Sequence, residues 1–241
     1  MRIRLWMAGM AISFAGWAQE PLQLPPPPEA LPEAPMAAPA PQSAPEQNPA
    51  SIPSGWTLAF SWSPEYCKRN LGIKEPQCQQ EHYFVLSGLV PRFEGGAPDC
   101  PREALPRELM PRALETMRNE SQLKKVWRLQ GNCSGLAPAE YVLQLERAAR
   151  RVSAPERFRR TDRETLKIPK AEFKDALRKD NPGLMPEAIA LQCRRGWLET
   201  MNVCVDAGFN YRACGPEAVE SCPDPVQMRA QRPALRGDGE E

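Results

Sequence analysis

The fold is decided by two stretches of sequence, His82-Tyr83-Phe84-Val85-Leu86-Ser87-Gly88-Leu89-Val90-Pro91 and Lys125-Val126-Trp127-Arg128-Leu129-Gln130-Gly131-Asn132-Cys133. The first stretch opens with an apolar, aromatic run over residues 82–86, which predicts a β-strand followed by a turn. Residues 108–127 lead into the second stretch and predict helix, in one or two pieces. The rest of the fold is built outward from this strand and this helix.

Further strands and helices flank these two stretches. Aromatic or partly alternating runs predict strands at residues 56–62, 188–193 and 198–205, and Gly196 permits a tight hairpin turn between the last two. Apolar residues at helical spacing predict helices at residues 138–152 and 170–179. Strands near both ends with helices between them indicate an α+β domain.

The terminal segments differ in composition from the middle of the chain. Residues 1–18 combine Arg2 and Arg4 with a short apolar run and are typical of a cleaved signal peptide; an uncleaved membrane anchor is the alternative. Residues 19–54 are rich in Pro and Ala and predict a disordered linker, although the Pro run at 25–28 could bind a partner. We expect one folded domain over residues 55–222 and a disordered tail over residues 223–241.

Charge and cysteine content limit the function classes. The 241-residue chain has a net charge of +1, so its bulk electrostatics do not require a nucleic acid or membrane partner. Eight cysteines behind a signal peptide indicate disulfides formed in the periplasm or outside the cell. Spacing alone leaves about 105 pairings open. Close Cys pairs of the kind that bind zinc are absent, so we expect no metal and no cofactor.

The two stretches resemble the active-site segments of the ribonuclease T2 family, whose patterns are approximately F-T-I-H-G-L-W-P and H-E-W-x-K-H-G-T-C. The resemblance extends to residues 58–67, 131–141 and 192–206, and so covers nearly all of residues 55–222. It implies a ribonuclease T2-like α+β fold, an antiparallel sheet with helices packed on it and four disulfides. The implied pairs are Cys67–Cys78, Cys100–Cys133, Cys193–Cys222 and Cys204–Cys214.

The resemblance also implies which residues occupy the catalytic positions. Members of the family cleave RNA through the ribose 2′-hydroxyl and leave a cyclic phosphate, with one histidine as base, another as acid, and a glutamate and a lysine stabilising charge. In this chain the matching positions carry other residues: Ser87, Lys125, Val126, Leu129 and Gln130. Losing each proton-transfer group costs roughly 10²–10⁴-fold in rate, so we expect a pseudoenzyme.

Several other side chains are candidates for binding. Lys125 could hold a phosphate, or it could be a solvated helix lysine beside Lys124. Tyr83 and Trp127 could stack on a base, or they could serve packing alone. His82, the chain's only histidine, is expected too far from Ser87 to rescue catalysis. An Arg-rich run could bind phosphates or could be a solvated face; it consists of Arg147, Arg150, Arg151, Arg157, Arg159, Arg160 and Arg163.

Three functions follow from this sequence. The first is an exported, non-cleaving protein, expected to be monomeric, that binds RNA, a nucleotide or another protein. The second is a weak or altered endoribonuclease that uses Lys125 and Ser87. The third is a structural envelope protein with a proline-rich arm. No Gly-x-Ser-x-Gly or Walker-type motif points to another hydrolase class.

Overall fold

The computed structural model describes residues 53–80, 82–95, 98–159 and 165–230. The predicted signal peptide and nearly all of the predicted linker lie outside the described residues. The strands are Gly55–Trp62 (β1), Phe84–Arg92 (β2), Leu166–Ile168 (β3), Ile189–Arg194 (β4), Trp197–Asp206 (β5) and Val226–Met228 (β6). The helices are Ser63–Arg69 (α1), Pro76–Gln79 (α2), Met110–Met117 (α3), Glu120–Leu129 (α4), Pro138–Arg151 (α5), Glu156–Arg159 (α6) and Lys170–Asp180 (α7). Three short 3₁₀ turns span Arg107–Leu109, Gly131–Ser134 and Pro186–Ala188.

The strands form one sheet in which β1 lies between β2 and β5, and β4 pairs with β5 as a hairpin. All of these pairings are antiparallel. The short strand β6 joins the start of β5 through one parallel pair, Trp197 with Gln227, and β3 pairs with β6. The predicted antiparallel sheet with packed helices is thus confirmed, apart from this single parallel contact. None of the helices in the described part of the chain is long and apolar enough to span a bilayer.

The central strand β1 shows how the sequence sets the two faces of the sheet. Side chains alternate along a strand, and Trp56, Leu58, Phe60 and Trp62 are at most 5% exposed in the main core. The intervening positions are small or polar, and they face the other side of the sheet. On that second face Thr57 and Ala59 line a cavity.

The strand β2 is longer than the sequence indicated. The predicted strand ended at residue 86 and was followed by a turn, but β2 continues through Arg92. The prediction was wrong because Gly88 and Pro91 are accommodated in the strand: Ala59 pairs with Gly88 while Phe60 pairs with Leu86. Ser87 is therefore the extra residue of a β-bulge, a feature that re-aims a side chain without ending the strand.

The helical stretch before Trp127 forms two pieces, α3 and α4. They are separated at Arg118, which has a left-handed φ of 54°. Asn119 then caps α4, because its side-chain oxygen accepts a hydrogen bond from the Gln122 N–H at 2.9 Å.

The predicted helix at residues 138–152 is α5, with Pro138 in its first turn. The hairpin prediction is also confirmed: Arg195 and Gly196 both have positive φ, as a type I′ turn requires.

Four disulfides hold the described domain. They are Cys67–Cys78, Cys100–Cys133, Cys193–Cys222 and Cys204–Cys214, the pairs that the family resemblance implies. Each contributes about 2–4 kcal/mol by restricting the unfolded chain.

The folded domain extends beyond Cys222, where the sequence placed its end. Residues 226–228 form β6, and Val226 and Met228 are fully buried. The buried Trp62 indole N–H donates to the Arg229 carbonyl at 2.9 Å. The predicted tail is wrong over residues 223–230, because alternating Val226 and Met228 supply a core-facing strand that the preceding prolines concealed. Residues 231–241 lie outside the described residues.

A close contact between three residues joins α4, α5 and β2. Trp127 meets Tyr141 edge to face, with ring centroids 5.3 Å apart, and the Tyr141 hydroxyl donates to the Leu89 carbonyl at 2.9 Å. Gly131 lies beneath both rings: a Cβ there would be 2.5 Å from Trp127 Cε3 and 3.1 Å from Tyr141 Cζ. Only glycine fits at this position.

Substitution Gly131→Ala should therefore destabilise the domain. Both rings are buried and cannot move aside, and overpacking of this kind costs about 1–3 kcal/mol. Urea unfolding should show a lower midpoint with an unchanged slope. Gly95→Ala is the matched control, because its Cβ would meet nothing within 4 Å. Equal midpoints for Gly131→Ala and the unsubstituted protein would contradict this packing.

Candidate ligand-binding cleft

A cavity of about 420 Å³ opens on the polar face of the sheet, between β1, β2, the β4–β5 hairpin and α4. We call it the cleft. Its lining comes from distant parts of the chain: Thr57, Ala59, Ser87, Gly88, Val90, Gln122, Lys125, Val126, Leu129, Gln130, Gln192, Thr200, Asn202, Glu217 and Ala218.

All five positions that the resemblance assigns to catalysis line this cleft. Ser87 comes from β2, and Lys125, Val126, Leu129 and Gln130 come from α4 and its end. Residues 38 or more apart along the chain therefore face one hollow, as the alignment to the two active-site segments requires. The cleft holds no imidazole, and its ionisable side chains are Lys125 and Glu217.

The bulge in β2 fixes Ser87 and ties it to both neighbouring elements. Its hydroxyl donates to the Ala59 carbonyl at 3.2 Å, across the sheet. Its own carbonyl accepts from the Gln122 side chain of α4 at 3.0 Å. No described base accepts the Ser87 proton, so the hydroxyl is a structural donor rather than an activated nucleophile.

A buried polar network holds the start of α4 against β1 and α1. The Asn119 side chain donates to the Gln77 side-chain oxygen at 3.3 Å and to the Tyr66 hydroxyl at 2.7 Å. Gln77 in turn donates to the hydroxyls of Ser61 and Ser63, at 2.7 and 3.1 Å. Because buried polar groups are costly when unpaired, this network sets one orientation of the helix that carries Lys125 and Gln130.

Sequence reasoning missed six polar lining residues. They are Thr57, Gln122, Gln192, Thr200, Asn202 and Glu217. Most of them lie on strands, where their neighbours along the chain face the core. Leu191 and Met201 are at most 1% exposed. The adjacent Gln192, Thr200 and Asn202 face the cleft. Strand alternation could have placed these three on one face; Glu217, in a loop, carries no such signal.

The charged groups of the cleft are few and partly compensated. Lys125 is exposed and makes no ion pair with any described residue. Glu217 pairs with Arg92 at 2.5 Å, and its side chain remains 51% exposed at the rim. Amides and hydroxyls supply most of the polar lining, so the cleft offers many hydrogen-bonding groups and one uncompensated cation.

The two aromatic candidates are not in the cleft. Trp127 is 3% exposed, packs on Tyr141, and donates its indole N–H to the Glu103 carbonyl at 3.0 Å. Tyr83 packs against Trp62, with centroids 6.1 Å apart. Trp127 lies in the core and Tyr83 packs against it, which favours the packing alternative over stacking on a base.

His82 lines a different, smaller cavity of about 150 Å³, together with Phe60, Leu86, Arg118 and Met201. Its Nε2 is buried and finds no hydrogen-bond partner among the described residues. Burial lowers the pKa of His82, and the nearby Arg118 charge lowers that pKa further. The chain's only histidine thus lies outside the cleft, and its surroundings disfavour the protonated imidazole.

The predicted basic run is largely occupied by contacts within the domain. Arg147 and Arg151 donate to the carbonyls of Gly208 and Phe209, and they stack on Phe209 and Tyr211. Arg157 pairs with Glu172 at 3.0 Å. Arg160 and Arg163 lie outside the described residues. These contacts favour a structural and solvated role over phosphate binding.

The lowered pKa of His82 predicts acid-sensitive stability. Below about pH 6.5 the unfolded chain binds a proton on this histidine that the folded chain resists, so stability should fall as the pH drops through that range. The variant His82→Gln should lose less stability between about pH 7 and pH 5, a range in which few other side chains titrate. Thermal unfolding of both proteins over this pH range measures the loss of stability. An equal loss in the two proteins would show that the His82 environment does not cause the acid sensitivity.

Comparisons with known proteins were made at the level of sequence and of fold. No family model matches the chain. A curated ribonuclease from Aeromonas hydrophila is 31% identical over 87 residues, which are 36% of this chain and 40% of that relative. The chain thus matches well under half the length of that relative.

Three solved structures share the fold over most of the domain. An RNase-related protein from Calystegia sepium superposes with a TM-score of 0.58 at 17% identity and covers 75% of this chain and 98% of its own. RNase NT, solved in complex with 5′-AMP, gives 0.59 at 16% identity, covering 73% and 98%. Trichomaglin, an S-like ribonuclease, gives 0.57 at 17% identity, covering 73% and 97%.

The protein has a ribonuclease T2-like fold. Within that fold, the bulge at Ser87 and the end of α4 form the walls of the cleft. At these identities the likeness concerns the fold alone, so the chemistry rests on the residues that line the cleft.

Proposed function

We propose that this protein is an exported ribonuclease T2-like protein that binds RNA or a nucleotide in the cleft without cleaving it. One observation carries the proposal: the five positions implied for catalysis converge on one cavity and carry no histidine. The cleft has kept its walls while its proton-transfer groups have been replaced.

Cleavage through the 2′-hydroxyl needs a base to take its proton and an acid to protonate the leaving oxygen. Imidazole serves both roles near neutral pH because its pKa of about 6.5 lies close to the working pH. An amide at Gln130, a hydroxyl at Ser87 and an alkyl chain at Val126 have no comparable proton affinity. Loss of two such groups corresponds to roughly 10⁴–10⁸-fold in rate if the losses multiply.

The remaining lining suits binding. A volume of about 420 Å³ is within the range of small-molecule sites. Gln122, Gln130, Gln192 and Asn202 offer donors and acceptors of the kind that recognise base edges, and Lys125 offers a cation for one phosphate. The neighbour RNase NT binds 5′-AMP, which supports a nucleotide as the ligand class.

Export is supported by the disulfides and by the predicted signal peptide at residues 1–18. All eight cysteines are paired, and such a framework persists in oxidising compartments. These features support our proposal that the protein acts in the periplasm or outside the cell.

The first test is cleavage of single-stranded RNA by the mature protein between about pH 4 and pH 8. We expect no turnover above a buffer blank at any pH in this range. Turnover that co-purifies with the protein and persists in Ser87→Ala/Lys125→Ala would have to arise outside the cleft. Turnover that this double variant abolishes would overturn the non-cleaving assignment.

The second test is titration with 5′-AMP and with a short single-stranded RNA. Lys125→Ala should weaken binding by up to about fivefold, because an exposed ion pair contributes at most about 1 kcal/mol. For RNA it should also flatten the dependence of log K on log salt by about 0.7, the effect of one phosphate contact. Lys124→Ala is the matched control: it removes the same charge from the same helix, but Lys124 pairs with Glu120 at 2.5 Å and lies outside the cleft.

The result with Lys124→Ala decides how the loss is interpreted. Equal losses in the two variants would indicate bulk electrostatics instead of a phosphate contact in the cleft. No saturable binding of either ligand at low salt would reject the proposal and favour the structural envelope role.

A weak or altered endoribonuclease is the second candidate, and one observation favours it. Glu217 and Lys125 line the same cleft, and a carboxylate and an ammonium are an acid–base pair that could act on a 2′-hydroxyl. If this chemistry occurs, Glu217→Gln should reduce cleavage by roughly 10²-fold or more while leaving 5′-AMP binding within about twofold. Equal residual cleavage by Glu217→Gln and the unsubstituted protein would exclude Glu217 as the base.

A further inference from the structure

Another cavity, of about 580 Å³, lies at the turn of the β4–β5 hairpin. We call it the hairpin pocket. Five of its lining residues are basic and one is aromatic: Lys68, Arg69, Arg194, Arg195, Arg229 and Trp197. This is a dense positive cluster in a chain whose net charge is only +1.

Two of these cations are neutralised by carboxylates. Arg229 donates to the buried Glu65 at 2.6 Å, and Arg69 pairs with Glu199. Lys68, Arg194 and Arg195 are exposed and form no ion pair with the described residues. The pocket therefore presents an excess of three positive charges to solvent.

The pocket is held by the fold. The Arg229 guanidinium lies 4.2 Å from the Trp197 ring centroid. The backbone carbonyl of Arg229 accepts a hydrogen bond from the indole N–H of the buried Trp62. Arg195 lies in the two-residue turn with a φ of 52°, followed by Gly196 at 85°. Two of the exposed cations, Arg194 and Arg195, thus lie at the tight turn of the β4–β5 hairpin, and the third, Lys68, lies on α1.

The hairpin pocket and the cleft adjoin along the same two strands. Gln192 pairs with Thr200 at the edge of the cleft, and Arg194 pairs with Trp197 at the edge of the pocket. Gln192 and Arg194 are two residues apart on β4, about 7 Å along the strand, and strand alternation directs both side chains to the same face. The register with β5 shifts between Gln192 and Cys193, which leaves Glu199 as an extra residue of β5 between the two sites. A chain that leaves the cleft along β4 meets these cations next.

We propose that the hairpin pocket is a second phosphate subsite, which holds the backbone of a single-stranded RNA whose nucleotide occupies the cleft. This inference rests on the proposed function. Arg194 and Arg195 contact successive phosphates, and Trp197 and Arg229 form the fixed back wall. The continuity with the cleft favours an RNA strand over an unrelated anionic surface.

The experiment compares the unsubstituted protein with the double variant R194Q/R195N. Asn is favoured at the first position of an Asn-Gly type I′ turn, so this variant keeps the hairpin while losing two charges. The control K167A/K179A also loses two positive charges, but from exposed positions that line neither the cleft nor the hairpin pocket. Unfolding midpoints check that both variants fold.

Each protein is titrated with 5′-AMP and with a labelled single-stranded RNA of about ten nucleotides, at salt concentrations from about 50 to 200 mM. We expect R194Q/R195N to flatten the RNA salt slope by about 1.4, or about 0.7 for each lost contact, and to leave 5′-AMP affinity unchanged. K167A/K179A should keep the slope of the unsubstituted protein.

Other outcomes separate the two proposals. An RNA slope that stays the same in R194Q/R195N, or changes equally in K167A/K179A, overturns the subsite. RNA binding that depends on Arg194 and Arg195 without any 5′-AMP binding supports the subsite and rejects nucleotide binding in the cleft. Binding to phosphatidylglycerol–phosphatidylcholine vesicles that R194Q/R195N abolishes, with RNA binding intact, overturns the subsite in favour of a membrane surface.

Discussion

The contact of Gly131 with Trp127 and Tyr141 is the constraint on which the rest of the domain depends. It joins the helix that forms one wall of the cleft to the helix that packs on β2, and Tyr141 then ties that helix to the Leu89 carbonyl. Burial raises the pKa of the Tyr141 hydroxyl, so it remains a neutral donor. The Cys100–Cys133 bridge closes the same corner two residues beyond Gly131. With these contacts fixed, α4 has one position relative to Ser87.

That fixed geometry distinguishes the residues that shape the cleft from the residues that line it. Trp127 and Tyr141, which fix α4, are buried, whereas Ser87 and Gln130 in the cleft are half-buried and Lys125 is exposed. Positions that are not fully buried generally tolerate substitution better than buried ones. The packing that shapes the cleft is consequently separate from the side chains that give the cleft its chemistry.

Much of the domain could be predicted from the sequence because its signals were local or carried by the resemblance. Helical spacing located α5, Gly196 located the hairpin turn, and the two motifs brought Ser87 and Gln130 together. The failures have physical causes. The bulge at Ser87 depends on pairing with β1, and β6 is a three-residue strand that only a neighbour can stabilise. Glu217 reaches the cleft from a loop, a placement that only tertiary structure decides.

The strand after the last cysteine has a consequence for shortened forms of this protein. A chain that stops at Cys222 would lose the Arg229 carbonyl and leave the indole N–H of a fully buried Trp62 without its acceptor. An orphaned buried donor costs about 1–3 kcal/mol, and Glu65, 4% exposed, would lose its counter-ion as well. Proteolytic trimming back to the disulfide core would therefore weaken the first strand of the sheet, at the opposite end of the sequence.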